Sequence, residues 1–75
     1  MMHLEMTDTF GGEANYSWVK RHTLQGHDTI TRISAVRKAK EWAGWTGIRC
    51  QTEDNGDMLV IRPRGICQVL FVTWE

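Results

Sequence analysis

A chain of 75 residues makes one small domain, close to the size limit at which a single hydrophobic core suffices without metal or disulfide support. An apolar fraction of 41% beside 24% charged residues excludes a disordered chain. Nine basic side chains cancel nine acidic ones, which excludes the global field that draws a protein onto nucleic acid or anionic membrane.

His3 to Phe10 alternates loosely, Leu4 and Met6 against Glu5 and Thr7, and predicts a strand with one solvated side. Gly11-Gly12 breaks it and tolerates the positive φ of a tight hairpin into a second strand from about Tyr16 to Leu24. On that strand Tyr16, Trp18, Lys20, His22 and Leu24 share one face, and the aromatic end is expected to be buried more than the basic end. Gln25 to Asp28 is read as a loop.

Thr29 to Thr46 is the one segment with helical periodicity. Asp28, Thr29, Thr31 and Ser34 are each suitable N-caps, and Gly44 or Gly47 can supply the left-handed residue that ends the helix. Ile33, Ala35, Val36, Ala39, Trp42 and Ala43 form the expected core arc, and Ser34, Arg37, Lys38 and Glu41 lie opposite. Alanine at 35, 39 and 43 lets the helix axis approach a sheet closely. Trp42 is expected in the core, and Trp45, just past the arc, half exposed.

Ile48 to Thr52 and Asp57 to Arg62 are predicted strands joined through Glu53-Asp54-Asn55-Gly56, whose Asn-Gly pair is the strongest hairpin signal in the chain. After Pro63-Arg64-Gly65, the apolar run Ile66 to Trp74 is expected to be a central strand. The predicted architecture is a two-layer α+β domain of order ββαβββ: about five antiparallel strands with one helix on one face. One helix cannot cover five strands, so Trp18, Phe71 and Trp74 are candidates for aromatic side chains on an uncovered face.

No stretch carries an active-site signature. His3, His22, His27, Cys50 and Cys67 lack the close spacing of metal ligands. Nothing orients Cys50 or Cys67 toward His22 as a nucleophile–base pair, and both cysteines read as small fillers of the sheet. Glu53, Asp54 and Asp57 flank a turn that they serve to shape. Gly11-Gly12 lacks the lysine and the following helix of a phosphate loop. The expectation is a non-enzyme without metal or cofactor. Two cysteines without CxxC spacing, no secretory apolar run, and no stretch near the ~20 residues that span a bilayer predict a soluble cytoplasmic protein with reduced thiols.

Binding is the remaining class. Between positions 20 and 40 the chain carries Lys20, Arg21, Arg32, Arg37, Lys38 and Lys40 against Asp28 alone, and Glu41, Glu53, Asp54 and Asp57 follow, so a dipolar surface is expected. Lys20, Arg21, His22, Arg37, Lys38, Lys40, Arg62 and Arg64, with Tyr16 or Trp18 for base stacking, would form a nucleic-acid stripe if the fold aligned them. Trp42, Trp45 and Trp74 with Arg49 and Arg64 have the composition of protein-interface anchors.

The stretches DTFGGEANYSWVKR (Asp8 to Arg21) and KAKEWAGWTGIRC (Lys38 to Cys50) resemble small uncharacterised proteins encoded by bacteriophages and prophages. The resemblance implies a phage or mobile-element accessory protein that occupies a surface of a host protein assembly in the bacterial cytoplasm, as anti-CRISPR and anti-restriction inhibitors do. It brings no catalytic residue. Many such inhibitors imitate nucleic acid with an acidic surface; this neutral chain would act by shape and mixed charge. The expected partner-binding residues are Arg37, Lys38, Glu41, Trp45, Lys20, Arg21 and Arg64. The second reading is a nucleic-acid-binding module using Lys20 to Lys40, and the third an orphan structural domain that homodimerises through a sheet edge or aromatic face.

Overall fold

Three hairpins, each with a glycine at positive φ in its turn, and one capped helix organise the chain. The computed structural model describes residues 1–27 and 29–75 and contains β1 (Met2–Phe10), β2 (Glu13–Leu24), α1 (Arg32–Ala43), β3 (Cys50–Asp54), β4 (Met58–Pro63) and β5 (Gln68–Trp74). This is the expected ββαβββ order. The strands form one antiparallel sheet, ordered β2-β1-β5-β4-β3. The last strand is central as predicted, because Val69, Leu70 and Val72 are buried on its two faces and need a paired strand on either side.

Phe10 pairs with Glu13 across Gly11 (φ 63°) and Gly12 (φ 85°), the two consecutive positive φ values of a type I′ turn. At the Asn55-Gly56 hairpin, Gly56 N–H donates to Asp54 Oδ1 at 2.9 Å and Asn55 N–H to the Met58 carbonyl at 2.9 Å. Strand ends differ from expectation by a few residues. β2 begins at Glu13, and β3 starts at Cys50 because the turn through Gly47 still holds Ile48 N–H on the Trp45 carbonyl.

Register assigns the faces, since directly paired residues point the same way. The helix-side face carries Met2, Leu4, Met6, Leu59, Ile61, Leu70 and Val72, which close with Ala35, Ala39 and Trp45 into the core. The second face carries His3, Glu5, Thr7, Val60, Phe71 and Thr73. Of the three aromatics expected on the uncovered face, only Phe71 lies there. Trp74 pairs with Met2 and, like Trp18, packs against the core on the helix side. Tyr16, expected to be buried, is 53% exposed at φ 56°, within an irregularity where the β1–β2 pairing shifts register.

Thr31 caps α1: its Oγ1 accepts from Ser34 N–H at 3.2 Å. Asp28, one of the expected candidates, lies outside the described residues. At the other end Gly44 (φ 77°) donates to the Glu41 carbonyl and Trp45 N–H to the Lys40 carbonyl, the paired bonds of a Schellman motif. That reversal folds the next side chain back beneath the helix, so Trp45 is 3% exposed and a core residue. The expectation of a half-exposed Trp45 is thereby corrected. Trp42 is the half-buried one, stacked on His22 with ring centroids 6.0 Å apart. Ile33, expected in the core, is 76% exposed. Two helical steps of ~100° each place it nearly opposite the buried Ala35. Of the cysteines read as buried fillers, Cys50 is half-buried and Cys67 is exposed in the β4–β5 connection.

Candidate functional site

Because α1 buries Ala35 and Ala39 against the sheet, its remaining faces meet solvent, and one of them adjoins β3. Ile33 and Val36 line two adjoining concavities there. The first, about 440 Å³, also takes in Arg37, Lys40, Glu41, Thr46 and Gly47. The second, about 350 Å³, is completed by Arg32, Thr52, Asp54 and Leu59. Together they make a groove with an apolar floor and a rim of mixed charge.

Arg32 holds one wall. Its Nη2 donates to the Gly56 carbonyl, its Nε lies 3.5 Å from Asp54 Oδ2, and its guanidinium sits 4.3 Å from the Trp74 ring centroid. Helix start, β3–β4 turn and the end of β5 are joined through this one side chain. A guanidinium at the first helical position opposes the helix dipole, and these three partners offset that cost.

Of the residues expected from sequence, Arg37 and Glu41 line the groove. Lys38 is exposed on the same helix but is not among the lining residues, and Trp45 lies in the core. Lys20 pairs with Met6 on the helix side of β2, whereas Arg21 faces the other way and sits 3.0 Å from Glu5 Oε2. Arg64 belongs to another concavity, shared with Arg49 and Arg62. The basic residues between 20 and 40 therefore occupy both faces of the sheet and the outside of the helix, and do not form one stripe. Lys40, expected in the basic region of the helix, also lines the groove, whereas Ile33, Val36 and Thr52 are groove residues that the sequence reading does not name as a site. The signal for Ile33 was available in its angular separation from Ala35.

A second polar cluster lies in the β1–β2 arm. The Asp8 carboxylate accepts from Ser17 Oγ (2.7 Å), Asn15 Nδ2 (2.9 Å) and Ser17 N–H (3.0 Å). The Ser17 hydroxyl above all, then Asn15, hold its pKa down to about 2. The buried Thr7 hydroxyl donates to the Trp18 carbonyl at 2.9 Å and accepts from Tyr16 N–H at 3.1 Å. A carboxylate so engaged is a poor proton acceptor near neutrality, and the cluster shapes the arm.

Among the described residues, no three His, Cys, Asp or Glu side chains converge as metal ligands, and no helix is long and apolar enough to cross a membrane. No family model, curated protein or solved structure matches the chain.

Proposed function

We propose that the chain is a non-enzymatic phage or mobile-element accessory protein that docks on a host protein assembly through the α1–β3 groove, in the manner of an anti-defence inhibitor. The observation that carries this reading is Ile33, a large aliphatic side chain 76% exposed at the junction of two concavities. Exposed apolar surface inside a polar rim is the anatomy of a protein contact, in which a few central anchors supply most of the energy. The rim offers Arg37 and Lys40 beside Glu41, so a partner of mixed charge fits better than a uniformly acidic or basic one. The resemblance of Asp8–Arg21 and Lys38–Cys50 to phage-encoded proteins supplies the biological class.

The test is capture from a bacterial host lysate by wild-type protein, Ile33→Asp and Arg37→Ala/Glu41→Ala. A host protein retained by wild type and lost with Ile33→Asp, at unchanged melting temperature, supports the reading. Retention unaffected by all three substitutions removes the groove. A chain that retains only a second copy of itself would instead favour the dimerisation reading.

A further inference from the structure

We propose that the free edge of β3 pairs antiparallel with the β3 edge of a second copy of the chain, about a two-fold axis through Thr52. The backbone determines which groups are available. Arg64 N–H donates to the Arg49 carbonyl and Asn55 N–H to the Met58 carbonyl, both at 2.9 Å. With the unbroken β3–β4 register, these bonds make Arg49, Gln51, Glu53 and Asn55 the residues that bond toward β4. Cys50, Thr52 and Asp54 therefore send their N–H and C=O groups outward, along a strand exposed from Gln51 to Asp54. The opposite edge is guarded: β2 shifts register on β1 between Thr7 and Thr9, holds Tyr16 at φ 56° and carries Lys20 and Arg21. β3 has no bulge, lysine or proline of that kind.

Charge selects the occupant. Arg49, Arg62 and Arg64 gather where β3 begins, and Glu53, Asp54 and Asp57 lie toward its end. An antiparallel copy reverses that order, so the acidic end of each strand runs along the basic end of the other. A foreign strand would have to bring the same order of charge; the copy already has it. With the axis on Thr52, Cys50 of one copy faces Asp54 of the other and Gln51 faces Glu53, which takes in the whole of β3. Arg49 then lies diagonal to Glu53 of the copy, within reach of long side chains. Among the described residues neither Arg49 nor Glu53 has an ion-pair partner within the chain, and the pairing supplies one to each. An axis on Glu53 would instead set two carboxylates against each other. Paired residues share a face, so both helices lie on the same side of one continuous sheet. Joining in the plane of the sheet leaves the α1–β3 groove above it uncovered, and this pairing does not rest on host docking.

Sedimentation velocity from about 1 µM to 1 mM tests the pairing, for which a short edge predicts a dissociation constant on the order of 100 µM. Glu53→Arg should weaken the dimer about tenfold or more, and Glu53→Arg/Arg49→Glu should restore it. Thr52→Pro, which removes an outward N–H and no bond to β4, should give a monomer. Arg37→Ala/Glu41→Ala, on the groove rim, should dimerise as wild type does. The amides of Thr52 and Asp54, fast to exchange in the monomer, should slow at the high end of the range. A monomer at every concentration overturns the proposal. So does a dimer that Glu53→Arg and Thr52→Pro both leave intact, since its contact lies elsewhere. Should Thr52→Pro melt lower than wild type, the charge reversal and its rescue decide alone.

Discussion

Asp8 shows how a single side chain can be wholly committed to shape. Its folded pKa of about 2 lies below the ordinary 3.8, so the unfolded chain binds more protons between those values, and stability falls as pH drops through that window. Thermal melts between pH 5 and pH 2 should show this acid loss in wild type and a flatter profile in Asp8→Asn, whose melting temperature at pH 7 should already be lower. An identical acid slope in the two proteins would remove Asp8 as its source. Trp45 and Ile33 make a second contrast. Trp45→Ala removes a buried ring and should cost about 3–5 kcal/mol, much of the stability of a domain this small. Ile33→Ala, with most of its side chain in solvent, should stay within about 0.5 kcal/mol. Urea denaturation of both variants would expose a reversed order.

At the level of elements, α1 depends on its ends. Its first turn contains no acidic residue, so Thr31 and the partners of Arg32 carry the N-terminus. Thr31→Ala should cost about 1 kcal/mol. Gly44→Ala should cost about 1–2 kcal/mol, solely through the left-handed φ of 77°, since a Cβ there would touch nothing within 4 Å. Equal unfolding midpoints for Gly44→Ala and wild type would mean that the Schellman reversal is dispensable. Because that reversal carries Trp45 into the core, a weakened cap should also loosen the ring, seen as a red shift in tryptophan fluorescence. The β1–β2 arm is built the other way, around the Asp8 and Thr7 hydrogen bonds that hold its irregular register, and its apolar side chains Phe10 and Tyr16 remain outside.

For the molecule as a whole, strand order governs stability and charge. β5 lies between β1 and β4, while β2 and β3 are edges. Native-state hydrogen exchange should therefore find the slowest amides in Leu70 to Val72 and their neighbours on β1, and fast exchange along the outer side of Gln51 to Asp54. Uniform protection across the sheet would contradict this layout. The net charge of zero conceals a division: Arg49, Arg62 and Arg64 gather at one end of the β3–β4 hairpin, and Glu53, Asp54 and Asp57 lie toward the other. The two ends of the hairpin therefore carry surface charge of opposite sign.

Local chemistry determined the element order. A glycine pair at positive φ, an Asn-Gly turn, alternation of period two and an alanine stripe of period four each act over a few residues, so they are legible in the chain itself. The same reasoning located Arg37 and Glu41, which any helix burying Ala35 and Ala39 must turn outward. Only the tertiary structure decided that β1 inserts beside β5, that Gly44 sends Trp45 inward, and that Arg21 pairs with Glu5 on the far face. It also joined Arg49, Arg62 and Arg64 to a hairpin tip some fifty residues away through the Arg62–Gly12 bond. Those outcomes rest on which strand neighbours which and on one left-handed residue. Such choices between distant segments are settled by burying Val69, Leu70, Val72 and their partners together, and they leave no periodic trace in the sequence.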